Sequence, residues 1–336
     1  MKLLRKILIL IVPVYYIVTW LRNYFYDIGI LESISYEFPV ICVGNLSVGG
    51  TGKTPMIENL IRILHNNNKV AVLSRGYKRK SRGFFLASKI TKVEDVGDEP
   101  FQFYSKFKNI FVAVDSNRQN GITELKKQVN PDLILLDDAF QHRKVKAGFN
   151  ILLTTYHNMF VNDMLLPTGD LREPKEGANR ADVIVVTKCP EDLSVVQQQD
   201  VIKTINPKSN QTIFFSAIVY SRMLKSINKE IELESLKDKE FTLVTGIANA
   251  KPLVNYLKSQ GFTFEHLNFG DHHNFTAEEI ERIKSKELVI TTEKDFMRLN
   301  KRVKNNLYYL PIEVKLNDQK MFKCLINNYL STVKQQ

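Results

Sequence analysis

The stretch Ser47-Val48-Gly49-Gly50-Thr51-Gly52-Lys53-Thr54 decides how the chain is read. Before it runs Val40-Ile41-Cys42-Val43, short and wholly apolar, which reads as a buried strand ending near Gly44. After it comes Pro55, tolerated in the first turn of a helix, and then Ile57, Leu60, Ile61 and Leu64 at helical spacing. A glycine-rich turn between a strand and a helix amino terminus gathers backbone N–H groups into an anion site. In that geometry residues 47–54 wrap a polyphosphate. Lys53 reaches the β- and γ-phosphates, and the Thr54 hydroxyl holds Mg²⁺. Ser47 stands where the standard pattern begins with glycine, but the strand before and the amphipathic helix after supply the missing context.

Outward from the turn, apolar runs alternate with helix-like stretches. Strands are expected at 70–73, 110–114, 133–136, 151–153 and 183–186. Near-continuous apolar strands covered by helices imply a mostly parallel sheet, hence an α/β fold. The pattern restarts after about residue 205. Phe241-Thr242-Leu243-Val244 runs into Thr245-Gly246, and Leu288-Val289-Ile290-Thr291 into Thr292-Glu293, as in α/β units. The expected organisation is a P-loop NTPase-like α/β/α domain over 31–210 and a second, smaller α/β/α domain over 223–336. A short β linker at 211–222, built on the apolar run 212–220, joins them.

The first 30 residues form a separate, membrane-associated helix region. Lys2, Arg5 and Lys6 precede an uncharged run from Ile7 to Leu21. A spanning helix needs roughly 20 apolar residues, so the run is short, and Pro13 is expected to kink it. Trp20, Tyr24, Phe25 and Tyr26 beside Arg22 read as interfacial anchors. A spanning segment with a basic start would place the body outside the cell, away from ATP. The segment is therefore read as lying on, or partly inserted in, the inner face of the membrane.

Formal charge is +11 over 336 residues, with a sequence pI of about 9.3. That excess suits an anionic partner or a lysine-rich solvated surface. No interleaved aromatic and basic recognition module is visible, so nucleic acid is excluded as the partner. Cys42, Cys189 and Cys324 are far apart and lack metal-ligand spacing, so neither disulfide nor zinc is expected.

Four further segments carry chemistry. Asp137-Asp138 ends an apolar strand, and beside a P-loop such carboxylates position Mg²⁺. Pro167-Thr168-Gly169-Asp170-Leu171-Arg172-Glu173-Pro174 offers Arg172 to a transferring phosphoryl group and Glu173 to a metal shell. Val96-Gly97-Asp98-Glu99-Pro100 presents Asp98 as a general base for a hydroxyl nucleophile. Asp271-His272-His273 offers a carboxylate–imidazole pair across a cleft, since adjacent histidines share one metal poorly.

Together these segments resemble the tetraacyldisaccharide 4'-kinase family of lipid A biosynthesis. The resemblance is carried by 43–55, Ser74-Arg75-Gly76-Tyr77, 96–100, Asp115 through Arg118, 136–142, 171–174, Thr245-Gly246-Ile247-Ala248-Asn249, Asp271-His272 and Thr292-Glu293-Lys294-Asp295, in family order over about residues 5–300. Lys78 departs from it, standing where a small residue is expected. The resemblance implies two α/β/α domains on a two-stranded linker, a membrane-associated amino-terminal helix, and transfer of the γ-phosphoryl group of ATP, with Mg²⁺. The acceptor it implies is the 4'-hydroxyl of a membrane-held, acylated glucosamine disaccharide 1-phosphate. It also implies Asp98 as base paired with His272; in the transfer step itself, Arg172 and Arg118 are expected to stabilise the equatorial oxygens. A monomer on the cytoplasmic face of the bacterial inner membrane is expected. The competing reading is a switch ATPase of the partition or targeting type, whose loops also read Gly-Gly-x-Gly-Lys-Thr but carry an extra early lysine.

Overall fold

A computed structural model describes residues 8–271, 273–304 and 306–335. Eight strands precede the first crossing of the chain out of its larger sheet. They are β1 (Val40–Asn45), β2 (Val70–Ser74), β3 (Phe85–Leu86), β4 (Phe111–Val114), β5 (Leu133–Asp137), β6 (Phe149–Thr155), β7 (Val183–Thr187) and β8 (Thr212–Tyr220). Seven follow: β9 (Met223–Lys225), β10 (Glu230–Glu232), β11 (Phe241–Thr245), β12 (Phe264–Asn268), β13 (Val289–Thr291), β14 (Leu307–Tyr309) and β15 (Ile312–Leu316). The main helices are α1 (Val12–Asp27), α2 (Lys53–Leu64), α3 (Asp98–Lys106), α4 (Arg118–Gln128), α5 (Val195–Ile205), α6 (Lys251–Ser259), α7 (Ala277–Lys284), α8 (Glu293–Leu299) and α9 (Gln319–Lys334).

The larger sheet has nine strands in the order β15-β8-β7-β6-β1-β5-β2-β4-β3, parallel except at its two edges. β1 is central, pairing with β5 through Val43↔Asp137 and with β6 through Asn45↔Leu153. Alternate side chains of β1 enter two different cores. Val40 and Cys42 join a cluster with Ile122 and Leu125 of α4, and Ile41 and Val43 join one with Met56, Ile57, Leu60 and Ile61 of α2. Both faces are thus covered, which is why these strands are apolar throughout rather than alternating. The smaller sheet has six strands, β10-β9-β14-β13-β11-β12, parallel among β11 to β14.

Two expectations are revised. The apolar run 212–220 is not a free-standing connector: β8 pairs in parallel with β7 as a full member of the larger sheet. Nor do the last residues belong to the second body. β15 returns antiparallel to β8, from Ile312↔Tyr220 to Leu316↔Ser216. Phe322, Ile326 and Leu330 of α9 then cover the same core face as α2. The apolar side of an amphipathic helix goes to whichever bare sheet face is nearest, and β15 delivers α9 to the first. The two bodies are joined by a two-stranded ribbon whose base is the sheet edge.

Pro13 also differs from expectation. It falls in the first turn of α1, where proline removes no helical hydrogen bond, after a 3₁₀ turn at Leu8–Ile11. The helix starts there instead of bending. None of its residues is buried, and Leu10, Val14, Ile17, Val18 and Trp20 are exposed. The segment Leu8–Asp27 is long and apolar enough to cross a bilayer by length and composition. Polar contacts tie its inner side to the larger body. The Tyr15 hydroxyl donates to the Arg172 carbonyl at 2.9 Å, Arg22 to the Gln141 carbonyl at 2.8 Å, and Asn23 to Glu173 at 2.9 Å.

Candidate active site

The carboxyl ends of β1 and β5 meet at one spot, and the expected loop begins there. Gly52 caps α2 with φ +91, a left-handed conformation that side chains resist. Outside the turn, the Val48 N–H donates to the Asp170 carbonyl at 2.7 Å, and Arg172 N–H to the Leu46 carbonyl at 2.8 Å, so segment 165–172 braces the loop. Thr187, at the end of β7, holds the Thr51 carbonyl at 2.7 Å. Among the described residues, the amides of Gly50, Gly52, Lys53 and Thr54 have no acceptor within the chain. Amides open at a helix amino terminus are what an anion seat requires.

The charged groups converge on it. Asn45, fully buried at the end of β1, accepts from Lys53 Nζ at 3.2 Å and from the Arg172 guanidinium. Arg172 donates to Asp138 Oδ1 at 2.9 Å, and Lys53 Nζ lies 3.7 Å from the same oxygen. Asp138 turns there because its backbone is left-handed, φ +48, just beyond β5. Its neighbour Asp137 is buried and accepts from the Ser74 hydroxyl at 3.0 Å.

The two carboxylates differ electrostatically. Burial first, and then the charge of Asp138, pushes Asp137 up to about 6, against the pull of Lys53. Burial also works against ionisation of Asp138, but Lys53 and Arg172 outweigh it and hold its carboxyl below the usual range. Burial, with Arg118 and Arg75 nearby, takes His142 down to about 4, so the imidazole is neutral at physiological pH.

The donor set suits a magnesium ion. Thr54 and the two aspartates offer hard oxygen ligands, and Asp137 carries a buried negative charge that a divalent cation relieves. Among the described residues no three acidic, histidine or cysteine side chains form a cage. Mg²⁺ needs none, since it keeps waters and takes phosphate oxygens as ligands.

Other expected residues sit elsewhere. Glu173 is 1% exposed and engages Arg180 at 2.8 Å, Asn23 and Gln141. It struts α1 to the body and is not free to join a metal shell. Arg118 is buried too, donating to the Asp115 carbonyl and, at 3.4 Å, to the Asp137 carbonyl. Burial lowers its pKa to about 10. Its guanidinium ties the ends of β4 and β5 together, close enough to Asp138 to help hold that carboxyl ionised. Asp98 is 8% exposed and is held by Arg298 of the second body. His272 lies outside the described residues. His273 pairs with Glu279 at 2.9 Å and stacks on Phe269, a structural setting. Lys78 takes a left-handed φ of +58, a conformation that glycine adopts more readily.

Sequence reasoning missed Lys188. It follows β7 with φ +56, and its ammonium donates to the Gly50 carbonyl. Its position just past a parallel strand was the available signal, since ligands gather at that end of such sheets. Asn45 was also missed as a ligand of Lys53 and Arg172.

A central parallel strand that hands a glycine turn and a lysine to a helix, next to a strand ending in carboxylates, is the build of the P-loop nucleotide-binding enzymes, and this chain is of that class. Comparison narrows the class further. The model of the Tetraacyldisaccharide-1-P 4'-kinase family matches residues 4–331. A tetraacyldisaccharide 4'-kinase of Flavobacterium johnsoniae is 50% identical over 98% of both chains. One from Bacteroides thetaiotaomicron is 43% identical over 94% of this chain and 91% of its own. The crystal structure of LpxK from Aquifex aeolicus in complex with ATP superposes with a TM-score of 0.81 at 31% identity, covering 97% of this chain and 99% of that one. The chain belongs to the tetraacyldisaccharide-1-P 4'-kinase family and is a kinase of lipid A biosynthesis. The partition-type ATPase reading falls with that membership.

Proposed function

We propose that the chain moves the γ-phosphoryl group of ATP to the 4'-hydroxyl of a tetraacylated glucosamine disaccharide 1-phosphate, with Asp98 as general base, as a monomer on the cytoplasmic face of the inner membrane. The observation that carries the reading is the meeting of Lys53 and Arg172 on Asp138 at the mouth of the loop. Phosphoryl transfer is chiefly positioning and charge stabilisation, and this cluster supplies both. The open amides of Gly50, Gly52, Lys53 and Thr54 bind the phosphates, and Lys53 spans the terminal pair. Arg172 faces the same oxygens and meets the charge that develops on the transferring group. Thr54, Asp137 and Asp138 would hold Mg²⁺, which when bound offsets the charge of the phosphate oxygens. Asp98 takes the proton of the sugar hydroxyl, with His272 as its expected partner from the second body. The exposed apolar side of α1 supports the membrane reading, since an acylated substrate resides in a bilayer.

The test follows labelled phosphate from ATP into the acylated disaccharide 1-phosphate. Asp98→Ala is expected to lower kcat about 10²–10⁴-fold, the usual size of general acid–base effects, with ATP still bound. Near-normal transfer by that variant ends the base assignment. Removal of residues 1–27 is expected to abolish pelleting with anionic phospholipid vesicles while sparing ATP binding. Equal pelleting of both forms ends the membrane assignment.

A further inference from the structure

Asp98 opens α3, directly after Gly97, whose φ is +93. A Cβ on Gly97 would lie 2.9 Å from the Tyr77 carbonyl oxygen, so the turn that presents Asp98 needs glycine. It directs the Asp98 carboxylate at α8 of the second body, and Arg298 grips both of its oxygens. Arg298 Nε donates to Oδ1 at 2.9 Å, and Nη2 donates to Oδ2. The remaining Nη1 donates to the His273 carbonyl at 3.3 Å. One guanidinium therefore joins the first turn of α3 to the loop that follows Asp271.

The rest of the α3–α8 contact keeps the same register. Lys294 Nζ lies 3.2 Å from Glu99 and 3.5 Å from Asp271, and Lys106 donates to Glu293 at 2.8 Å. Lys106 also reaches Glu58 on α2 at 2.7 Å. Among the described residues, the charged neighbours of the Asp98–Arg298 pair include Asp295 and Lys294 on α8, Glu99 on α3 and Asp271 in the loop.

We propose that Arg298 is the positioning residue of the Asp98 carboxylate in phosphoryl transfer. The proposal rests on Asp98 being the base. A carboxylate offers about four lone-pair sites. The guanidinium fork takes one on each oxygen and so fixes the plane in which the group meets a substrate hydroxyl. Lysine cannot replace this, because an ammonium is a point charge without a fork.

The experiment uses the full chain and four forms: Arg298→Gln, Arg298→Lys, Asp98→Asn and Asp98→Asn with Arg298→Gln. kcat, the KM for ATP and the pH profile of kcat/KM are measured for each. Arg298→Gln is expected to lower kcat about 10–100-fold with little change in the KM for ATP. The acid limb of its profile should move up by about one pH unit, as the carboxylate loses an adjacent cation. Arg298→Lys keeps the charge, so its acid limb stays while kcat falls roughly tenfold. In the Asp98→Asn background, Arg298→Gln should add almost nothing, as for groups that act as a unit. A wild-type kcat and acid limb in Arg298→Gln, or additive losses in the double variant, overturns the proposal. Where Arg298→Gln does not fold, a wild-type kcat in Arg298→Lys overturns it. Wild-type turnover by Asp98→Asn instead sinks the base reading itself.

Discussion

Each half of the molecule has a buried parallel strand that ends in a glycine turn, yet the two turns have opposite fates. In the larger body β1 runs into residues 47–54, whose amides at Gly50, Gly52, Lys53 and Thr54 find no acceptor among the described residues. In the smaller body β11 runs into Gly246, whose N–H donates to Asp295 Oδ2 at 2.8 Å. Asp295 is fully buried, also caps α8 through Thr292, and has its pKa raised by that burial. In the smaller body the chain's own carboxylate takes the amide of the turn. Strand, turn and helix make a scaffold; amides at its turn stay open to a ligand only where the chain supplies no internal acceptor.

The largest expected effect breaks the site on the open side of this contrast. Lys53→Ala should reduce kcat about 10³-fold or more, by loss of a preorganised charge on the phosphates; a steady-state assay checks it. Next, Asp295→Ala should leave ATP affinity unchanged and destabilise the second body by about 2–3 kcal/mol. It strands a buried amide and removes a helix-cap partner. Calorimetry with and without ATP separates the two effects, and a loss of nucleotide affinity would contradict the division drawn here.

The smallest effect concerns the seam between the bodies. Burial first, then Glu58, pushes Glu293 up to about 7, opposed by Lys106. Between its ordinary value of 4.5 and about 7, the folded chain keeps a proton that the unfolded chain releases. The stability from this group is therefore complete at acid pH and lost as pH rises through that window. Glu293→Gln holds the side chain neutral throughout. Its melting temperature should gain on that of the native chain by roughly 2–4 °C between about pH 5 and about pH 8, and a pH-independent difference would refute the assignment.

Much of the larger body was legible because its strands are buried on both sides. Runs such as Val70–Ser74 and Leu133–Asp137 are apolar at every position but the last, and α2 shows its buried face at helical spacing. The loop and its carboxylates followed from local order alone. What was not legible depends on contacts between distant residues. Nothing local tells that Glu173 is claimed by Arg180 and by Asn23 of α1, or that Asp98 is met by Arg298 two hundred positions later. The run 212–220 reads alike as connector or sheet strand. Phe322, Ile326 and Leu330 announce an amphipathic helix without naming the sheet it will cover.

That last helix has a consequence for synthesis. Phe214, in β8, packs edge-on against Phe322 with ring centroids 5.2 Å apart. The ribosome therefore releases the nucleotide loop and eight of the nine strands of the larger sheet long before it releases their final cover. At roughly 5–20 residues per second, the hundred or so intervening residues leave the part of that sheet face beyond α2 uncovered for several seconds. The nascent chain passes through this exposed state with its glycine-rich turn already translated.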